Sequence, residues 1–254
     1  MPKQQLNDYK EEVALQRKVW LEKKVLRIQY EKWYGMVVRA LSSNKPTIEI
    51  GSGSGNFKQY YPECVATDVV LNGPWIDMIV DAQHLPFKPG DAGNFVVCDA
   101  IHHFQRPVEF LRQCAASLKP GGRIVLLEPA LTWWSKIVYK TSHHEPLDMK
   151  WDPFSVDGKP PDPDPGHTFA NIAIPEILFY RRRKKTLAAV PDLKLVSAHK
   201  FGFLAYPLTG GFNYRSFLPA YGFETLIAAE DLLTRPIANW MTGMRMLVVL
   251  EKVG

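Results

Sequence analysis

Cysteine is scarce: Cys64, Cys98 and Cys114 are the only three in 254 residues, and no two stand in a C-x-x-C spacing. A disulfide framework and a cysteine-based zinc site are excluded as organising devices, and the thiols read as reduced core residues. No apolar run approaches the roughly 18 residues of a membrane span. The charged stretch from Lys3 to Glu12 has none of the apolar centre of a secretory signal, so a cytoplasmic protein is expected. Internal repeats are missing, and the one biased tract is a proline cluster between Asp152 and Pro165. Neither sign of charge dominates, since 31 Lys and Arg against 26 Asp and Glu leave a net +5. That surplus permits attraction to phosphate, in nucleic acid or at a lipid surface, without requiring it. With 46% hydrophobic and 22% charged residues, disorder is excluded, and the length allows one α/β domain with additions.

The rest of the chain is organised around Thr47-Ile48-Glu49-Ile50-Gly51-Ser52-Gly53-Ser54-Gly55-Asn56-Phe57. A β-branched run collapses into glycines at alternate positions and then into a helix start. Glycine is needed where φ is positive or where a Cβ would block a ligand lying on the backbone. A helix opening at Asn56 points its free N–H groups at that ligand. The spacing is G-x-G-x-G and not the dinucleotide G-x-G-x-x-G, and Glu49 would face a pyrophosphate, which argues against an NAD-dependent dehydrogenase. A carboxylate there suits a ligand with an amino group and a positive centre. Further short apolar strands end in acids: Cys64–Val69 in Asp68, Met78–Asp81 in Asp81, Phe95–Asp99 in Asp99. Alternation of strands with helices, the clearest being 106–118, implies a parallel sheet with right-handed crossovers. Ligands lie beyond the carboxyl ends of such strands, where these acids collect.

Five stretches in register over residues 47 to 129 carry a family resemblance: the glycine turn, Thr67-Asp68-Val69, Asp81-Ala82-Gln83-His84-Leu85-Pro86-Phe87, Asp99-Ala100-Ile101-His102-His103-Phe104, and Leu118-Lys119-Pro120-Gly121-Gly122 with the strand after it. Together they resemble the motifs of the class I S-adenosylmethionine-dependent methyltransferases. The resemblance implies an α/β, Rossmann-like fold whose seven-stranded sheet is mostly parallel with an antiparallel last strand. It also implies S-adenosyl-L-methionine as cofactor. Glu49, Gly51, Ser52, Gly53, Gly55, Asp68, Val69, Asp81, Ala82, Asp99 and Ala100 are the residues expected to hold it, Asp68 at the ribose hydroxyls and Asp81 on the adenine side. The expected division is a helical extension over 1–42 and a methyltransferase domain over 43–254, with a lid inserted after the fifth strand at about 130–170. The tail from His167 to Leu218 is similar to bacterial methyltransferases of surface-polysaccharide or small-metabolite pathways.

Outside the motifs, Asn7–Ser42 has helical spacing, with Trp33, Val37, Ala40 and Leu41 on one stripe. It reads as one helix or two that pack on the sheet, or that bring Tyr30, Trp33 or Tyr34 over the cofactor. Residues 131–139 read as an amphipathic helix, 174–189 as a helix with the basic run Arg181–Lys185, 193–203 and 244–252 as the last strands, and 224–233 as a helix between them. The aromatic, glycine-rich Tyr206–Tyr214 is placed to line an acceptor pocket. Methyl transfer to a hydroxyl needs a proton acceptor, and the candidates are His103, with His102 beside it, and His143 and His144 in the lid near Glu145 and Asp148. Neither His143, His144, Glu145 and Asp148 nor Asp157, Asp162, Asp164 and His167 has a compelling ligand spacing, so no metal is expected. The acceptor is expected to be a small or lipid- or sugar-linked organic molecule methylated on oxygen. A nucleic-acid substrate is disfavoured, because no Asn/Asp-Pro-Pro-Tyr/Phe follows the fourth strand. An RNA methyltransferase and a cofactor-binding regulator without turnover remain the alternatives. Trp133, Trp134 and the adjacent lysines allow transient contact with a membrane surface.

Overall fold

The β-branched run before the glycines forms β1 (Thr47–Ile50), buried along its whole length as a strand covered on both faces must be. The computed structural model describes residues 3–142, 145–155, 169–233 and 236–254. Its sheet also contains β2 (Val65–Asp68), β3 (Met78–Ile79), β4 (Ala92–Cys98), β5 (Leu118–Pro129), β6 (Leu193–Phe201) and β7 (Arg245–Lys252). The order across the sheet is β3-β2-β1-β4-β5-β7-β6. β1 to β5 pair in parallel, whereas β7 runs antiparallel to both β5 and β6. Strand order reverses between β1 and β4, so their carboxyl ends open a crevice.

Period-two alternation sends the two sides of each strand into different cores. Ile48, Ile50, Phe95, Val97, Ile124, Leu126, Val248 and Leu250 join one cluster. Val96, Val125, Leu127, Leu247 and Val249 join the other. Register aligns like with like, Phe95 with Ile124 and Ile124 with Leu250. On the first side, α4 (Pro107–Ser117) buries Val108, Leu111, Cys114 and Ala115; Pro107 opens it, where a missing N–H costs nothing.

The second side is covered by the N-terminal helices α1 (Lys3–Glu22) and α2 (Lys24–Ala40), the two-helix form of the expected extension. From α2, Leu26, Tyr30, Trp33, Tyr34 and Val37 enter the cluster that holds Val125 and Leu247. Tyr30 and Trp33 meet edge to face at 4.9 Å. The face that packs on the sheet also brings Tyr30 and Tyr34 to the crevice.

Helix α3 (Asn56–Tyr60) follows the glycine turn and α5 (Trp133–Ser142) follows β5. The expected helix over 174–189 is broken: α6 (Ile174–Glu176) runs into a π turn at Ile177–Arg181, and α7 (Arg183–Ala189) carries most of the basic run. Short α8 (Ala205–Thr209) and α10 (Pro236–Thr242) flank α9 (Phe223–Leu233) between β6 and β7. The sequence pattern indicated neither short helix, since each has too few turns to show a period. His143, His144 and most of the proline cluster lie outside the described residues. Among the described residues no helix is long and apolar enough to cross a membrane.

Candidate active site

The glycine turn leaves β1 with Gly51 at φ 76°, Gly53 at φ 48° and Gly55 at φ 70°, all in the left-handed region that excludes most side chains. A Cβ on Gly51 would stand 2.8 Å from the Ala100 Cβ, whereas one on Gly53 would meet nothing within 4 Å. Gly53 thus opens into free space, a cradle with room for a ligand against the backbone. The cradle is one end of a cavity of about 870 Å³, within the size range of cofactor and substrate sites.

Ten of the eleven residues expected to hold the cofactor line this cavity: Glu49, Gly51, Ser52, Gly53, Asp68, Val69, Asp81, Ala82, Asp99 and Ala100. The eleventh, Gly55, does not. Its Cβ position is 2.3 Å from the Trp75 ring, and Trp75 Nε1 donates to the Gly53 carbonyl at 3.0 Å. Gly55 therefore admits the indole that braces the turn from behind. Arg17 of α1 lies over the same indole at 4.9 Å and donates to the Ser54 carbonyl.

Glu49 is 2% exposed and its Oε2 has no hydrogen-bond partner among the described residues. Burial pushes its carboxyl up to about 7, with Asp68 adding to the shift while Ser52 and Lys58 oppose it. A buried, unpartnered carboxylate oxygen at a cavity wall fits a ligand carrying an ammonium. Asp68 accepts from the Gly53 N–H at 2.7 Å, which ties the second strand to the turn. Burial raises its pKa, and the N–H donors and the Tyr9 hydroxyl work against that rise.

Tyr9 was not indicated by the sequence. It comes from α1 and donates to Asp68 Oδ2 at 3.0 Å, so the extension reaches the carboxylate expected to take ribose hydroxyls. Burial and the Asp68 charge hold the phenol well above its ordinary range. Asp81 is half-exposed and accepts the Gln83 N–H at 2.8 Å, capping its own turn while facing the cavity.

Asp99 has φ 53°, in the left-handed region. This conformation turns its carboxylate to Arg245 Nη2 at 2.5 Å, and it also accepts from the Tyr30 hydroxyl at 3.2 Å. Arg245 is 3% exposed and lies over the Trp33 ring. Burial opposes its charge, and Asp99 more than compensates, keeping the guanidinium firmly protonated.

Beyond this pair the cavity is walled by Tyr139 of α5, by Phe169, and by Tyr206, Gly211 and Phe212 of the expected acceptor segment. His102 and His103 form its polar end on a 3-10 turn, Ile101–His103, directly after β4. His102 Nδ1 is 2.7 Å from Glu128 Oε2, and the other oxygen of Glu128 accepts the N–H groups of Ala100 at 2.9 Å and Ile101 at 3.0 Å. His103 Nδ1 is 3.0 Å from the Phe169 carbonyl oxygen. Glu145 closes the group, 3.3 Å from His102 Nε2 and 3.5 Å from His103 Nε2. Burial disfavours charge on both rings. On His102 the Glu128 and Glu145 carboxylates outweigh it and hold the imidazole at about 10, whereas on His103 burial and the neighbouring His102 prevail and lower the pKa.

His103 is therefore placed at the cavity as expected, while His143 and His144 lie outside the described residues. Glu128 ends β5 as Asp68 ends β2, so the strand-terminal acid pattern contained the signal that would have found it. Arg245 and Tyr9 had no such signal.

A family model described as a methyltransferase domain matches residues 26–171. The fold is similar to that of a SAM-dependent methyltransferase from Archaeoglobus fulgidus, at 17% identity, covering 89% of this chain and 94% of that one, with a TM-score of 0.51. A complex from Haloferax volcanii, of the Trm112 methyltransferase activator with a methyltransferase, aligns at 12% identity over 98% of this chain and 97% of that chain, with a TM-score of 0.53. No curated protein matches the sequence.

Proposed function

Because the chain belongs to the methyltransferase-domain family, we propose that it transfers a methyl group from S-adenosylmethionine to a small or lipid- or sugar-linked organic acceptor, on oxygen. The observation that carries this reading is a single cavity with two chemically distinct ends. One end is the glycine cradle with Glu49 and Asp68; the other is an aromatic compartment ending in His102, His103 and Glu145.

Bound S-adenosylmethionine supplies an activated methyl group on a sulfonium centre. Glu49 would hold its ammonium, Asp68 its ribose hydroxyls and the Asp81 turn its adenine side, with Gly53 leaving room for it against the backbone. Tyr30, Tyr34 and Tyr206 also line the cavity, and their rings would help keep water from the transfer and favour an aligned approach. The acceptor hydroxyl would meet the group formed by His103, Glu145 and His102. An acceptor hydroxyl must lose its proton during transfer, and this is the end of the cavity equipped for that loss.

The test is calorimetric titration of S-adenosylmethionine and S-adenosylhomocysteine into the purified protein, followed by incubation with methyl-labelled cofactor and hydroxylated lipids, sugars and phenols. Binding in the micromolar range, with label recovered as an ether or ester, is the expected outcome. Failure of the folded wild type to bind either compound would overturn the reading, and binding without turnover on any acceptor class would favour a cofactor-binding regulator.

A further inference from the structure

His102 and His103 are consecutive in sequence, yet both turn the same ring nitrogen to the same carboxylate. The Phe169 carbonyl can only accept a hydrogen bond, so His103 carries its hydrogen on Nδ1; Glu128 imposes the same tautomer on His102. Each ring then turns its remaining nitrogen, Nε2, to Glu145, at 3.3 Å and 3.5 Å. The two nitrogens and the carboxylate converge within a buried polar wall: His102 is 3% exposed and Glu128 fully buried. A convergence of this kind takes one positive centre, either a proton on His102 or a metal ion in its place. The donor atoms of the three groups all lie within 4.8 Å of one another, and the Nε2–oxygen separations of 3.3 Å and 3.5 Å match the edges of a tetrahedron around one ion at metal–ligand distances of about 2.0–2.2 Å.

We propose that His102 Nε2, His103 Nε2 and the Glu145 carboxylate bind one divalent transition-metal ion, of which Zn²⁺ fits the donor set best. Two imidazoles and a carboxylate suit a borderline ion, whereas Mg²⁺ and Ca²⁺ demand oxygen ligands. Glu128 supplies the outer support that metal-bound imidazoles need: it fixes the His102 tautomer and is itself anchored by two N–H groups of the turn that carries both histidines. Three protein ligands leave a coordination position for a ligand oxygen, and the cavity reaches this cluster.

The role of the ion rests on the methyl-transfer reading, though its binding does not. The acceptor hydroxyl coordinates the ion, its O–H bond breaks, the oxygen keeps the electron pair as a metal ligand, and the proton passes to water. A zinc-bound water loses its proton near pH ~7, far below its value in bulk, and a bound hydroxyl is acidified in the same way. The aromatic compartment would then select acceptors that offer a hydroxyl to a metal, such as phenols, enols and hydroxy acids.

The experiment uses untagged protein stripped with a chelator, titrated with ZnCl₂ by calorimetry and with CoCl₂ by visible absorption, alongside a titration with S-adenosylhomocysteine. The wild type is expected to bind one Zn²⁺ per chain with Kd below about 1 µM and to give the d–d bands of a low-coordinate Co²⁺ site. His103→Ala and Glu145→Gln are expected to weaken Zn²⁺ at least ~100-fold, and Glu128→Gln by ~10–100-fold. Thermal melts establish that each variant folds; Glu145→Gln, which changes one atom of a partly exposed loop residue, carries the test if His103→Ala does not. No stoichiometric Zn²⁺ binding by the folded stripped wild type overturns the proposal, as does wild-type affinity in Glu145→Gln. Zn²⁺ binding without S-adenosylhomocysteine binding sinks the methyl-transfer reading and leaves the metal site standing.

Discussion

Replacing Glu49 by Gln isolates the buried carboxylate on which cofactor binding is expected to turn. In the folded protein, burial lifts its pKa from 4.5 to about 7. A carboxyl raised on folding contributes stability that is complete below the unfolded pKa and is lost as pH rises through the folded one. At about 1.4 kcal/mol per unit, the interval corresponds to about 3 kcal/mol withdrawn from the cofactor-free protein at alkaline pH. Glu49→Gln keeps the shape and stays neutral at every pH. Its advantage over the wild type should be under about 1 kcal/mol at pH ~5 and grow to about 3 kcal/mol by pH ~8.5, or about 6–12 °C in Tm for a chain of this length. Binding should move in the opposite direction. Wild-type affinity for S-adenosylhomocysteine, which carries the same ammonium, should rise about eightfold between pH ~6 and ~7.5 as Glu49 ionises, while the variant stays flat. Differential scanning calorimetry and isothermal titration at a series of pH values read both effects. Parallel pH profiles for the two proteins would refute the argument, since every other titrating group is common to both.

Gly53→Arg bears a left-handed backbone at φ 48°, a cost of about 1–2 kcal/mol, but should still fold because a Cβ there meets nothing within 4 Å; its side chain fills the cradle, and calorimetric binding of S-adenosylhomocysteine should disappear without loss of the circular dichroism spectrum. Asp68→Ala removes the carboxylate proposed to accept the ribose hydroxyls, and at about 1.5–3 kcal/mol for hydrogen bonds to a charged group the Kd for S-adenosylhomocysteine should rise roughly 10- to 150-fold. Trp33 is 1% exposed beneath Arg245, so Trp33→Ala should cost about 3–5 kcal/mol in a urea titration; a loss under 1 kcal/mol by the same measure would mean that α2 is not part of the folded core.

The short-range features were legible because they arise from local conformational preference. Alternating apolar residues in 95–98 and 124–127 fixed which side chains face each core. The helix expected over 106–118 forms at Pro107–Ser117, with a proline start that any reader of the chain can locate. The longer helix expected over 174–189 breaks at the π turn, where Thr186 Oγ1 donates to the Leu178 carbonyl at 2.8 Å. A side chain that satisfies a carbonyl from another turn has no periodic signature.

By itself the sequence determined the chemistry of the cradle: the glycine spacing, the acid before it, and the acids that end successive strands. Positive φ at Gly51 and Gly53 is open to them because glycine lacks a Cβ, and a strand's end depends on the pattern of a few neighbours. The tertiary structure alone decided who else stands there. Arg245 reaches Asp99 because β7 runs antiparallel, which puts its first residue beside Pro129 at the carboxyl edge of the parallel strands. Tyr9 reaches Asp68 across 59 positions because α1 folds back over the turn. Glu145 meets the paired histidines only once β4 and β5 lie side by side. Each of these contacts depends on strand order and direction, which are set by the packing of whole layers and leave no local period to read.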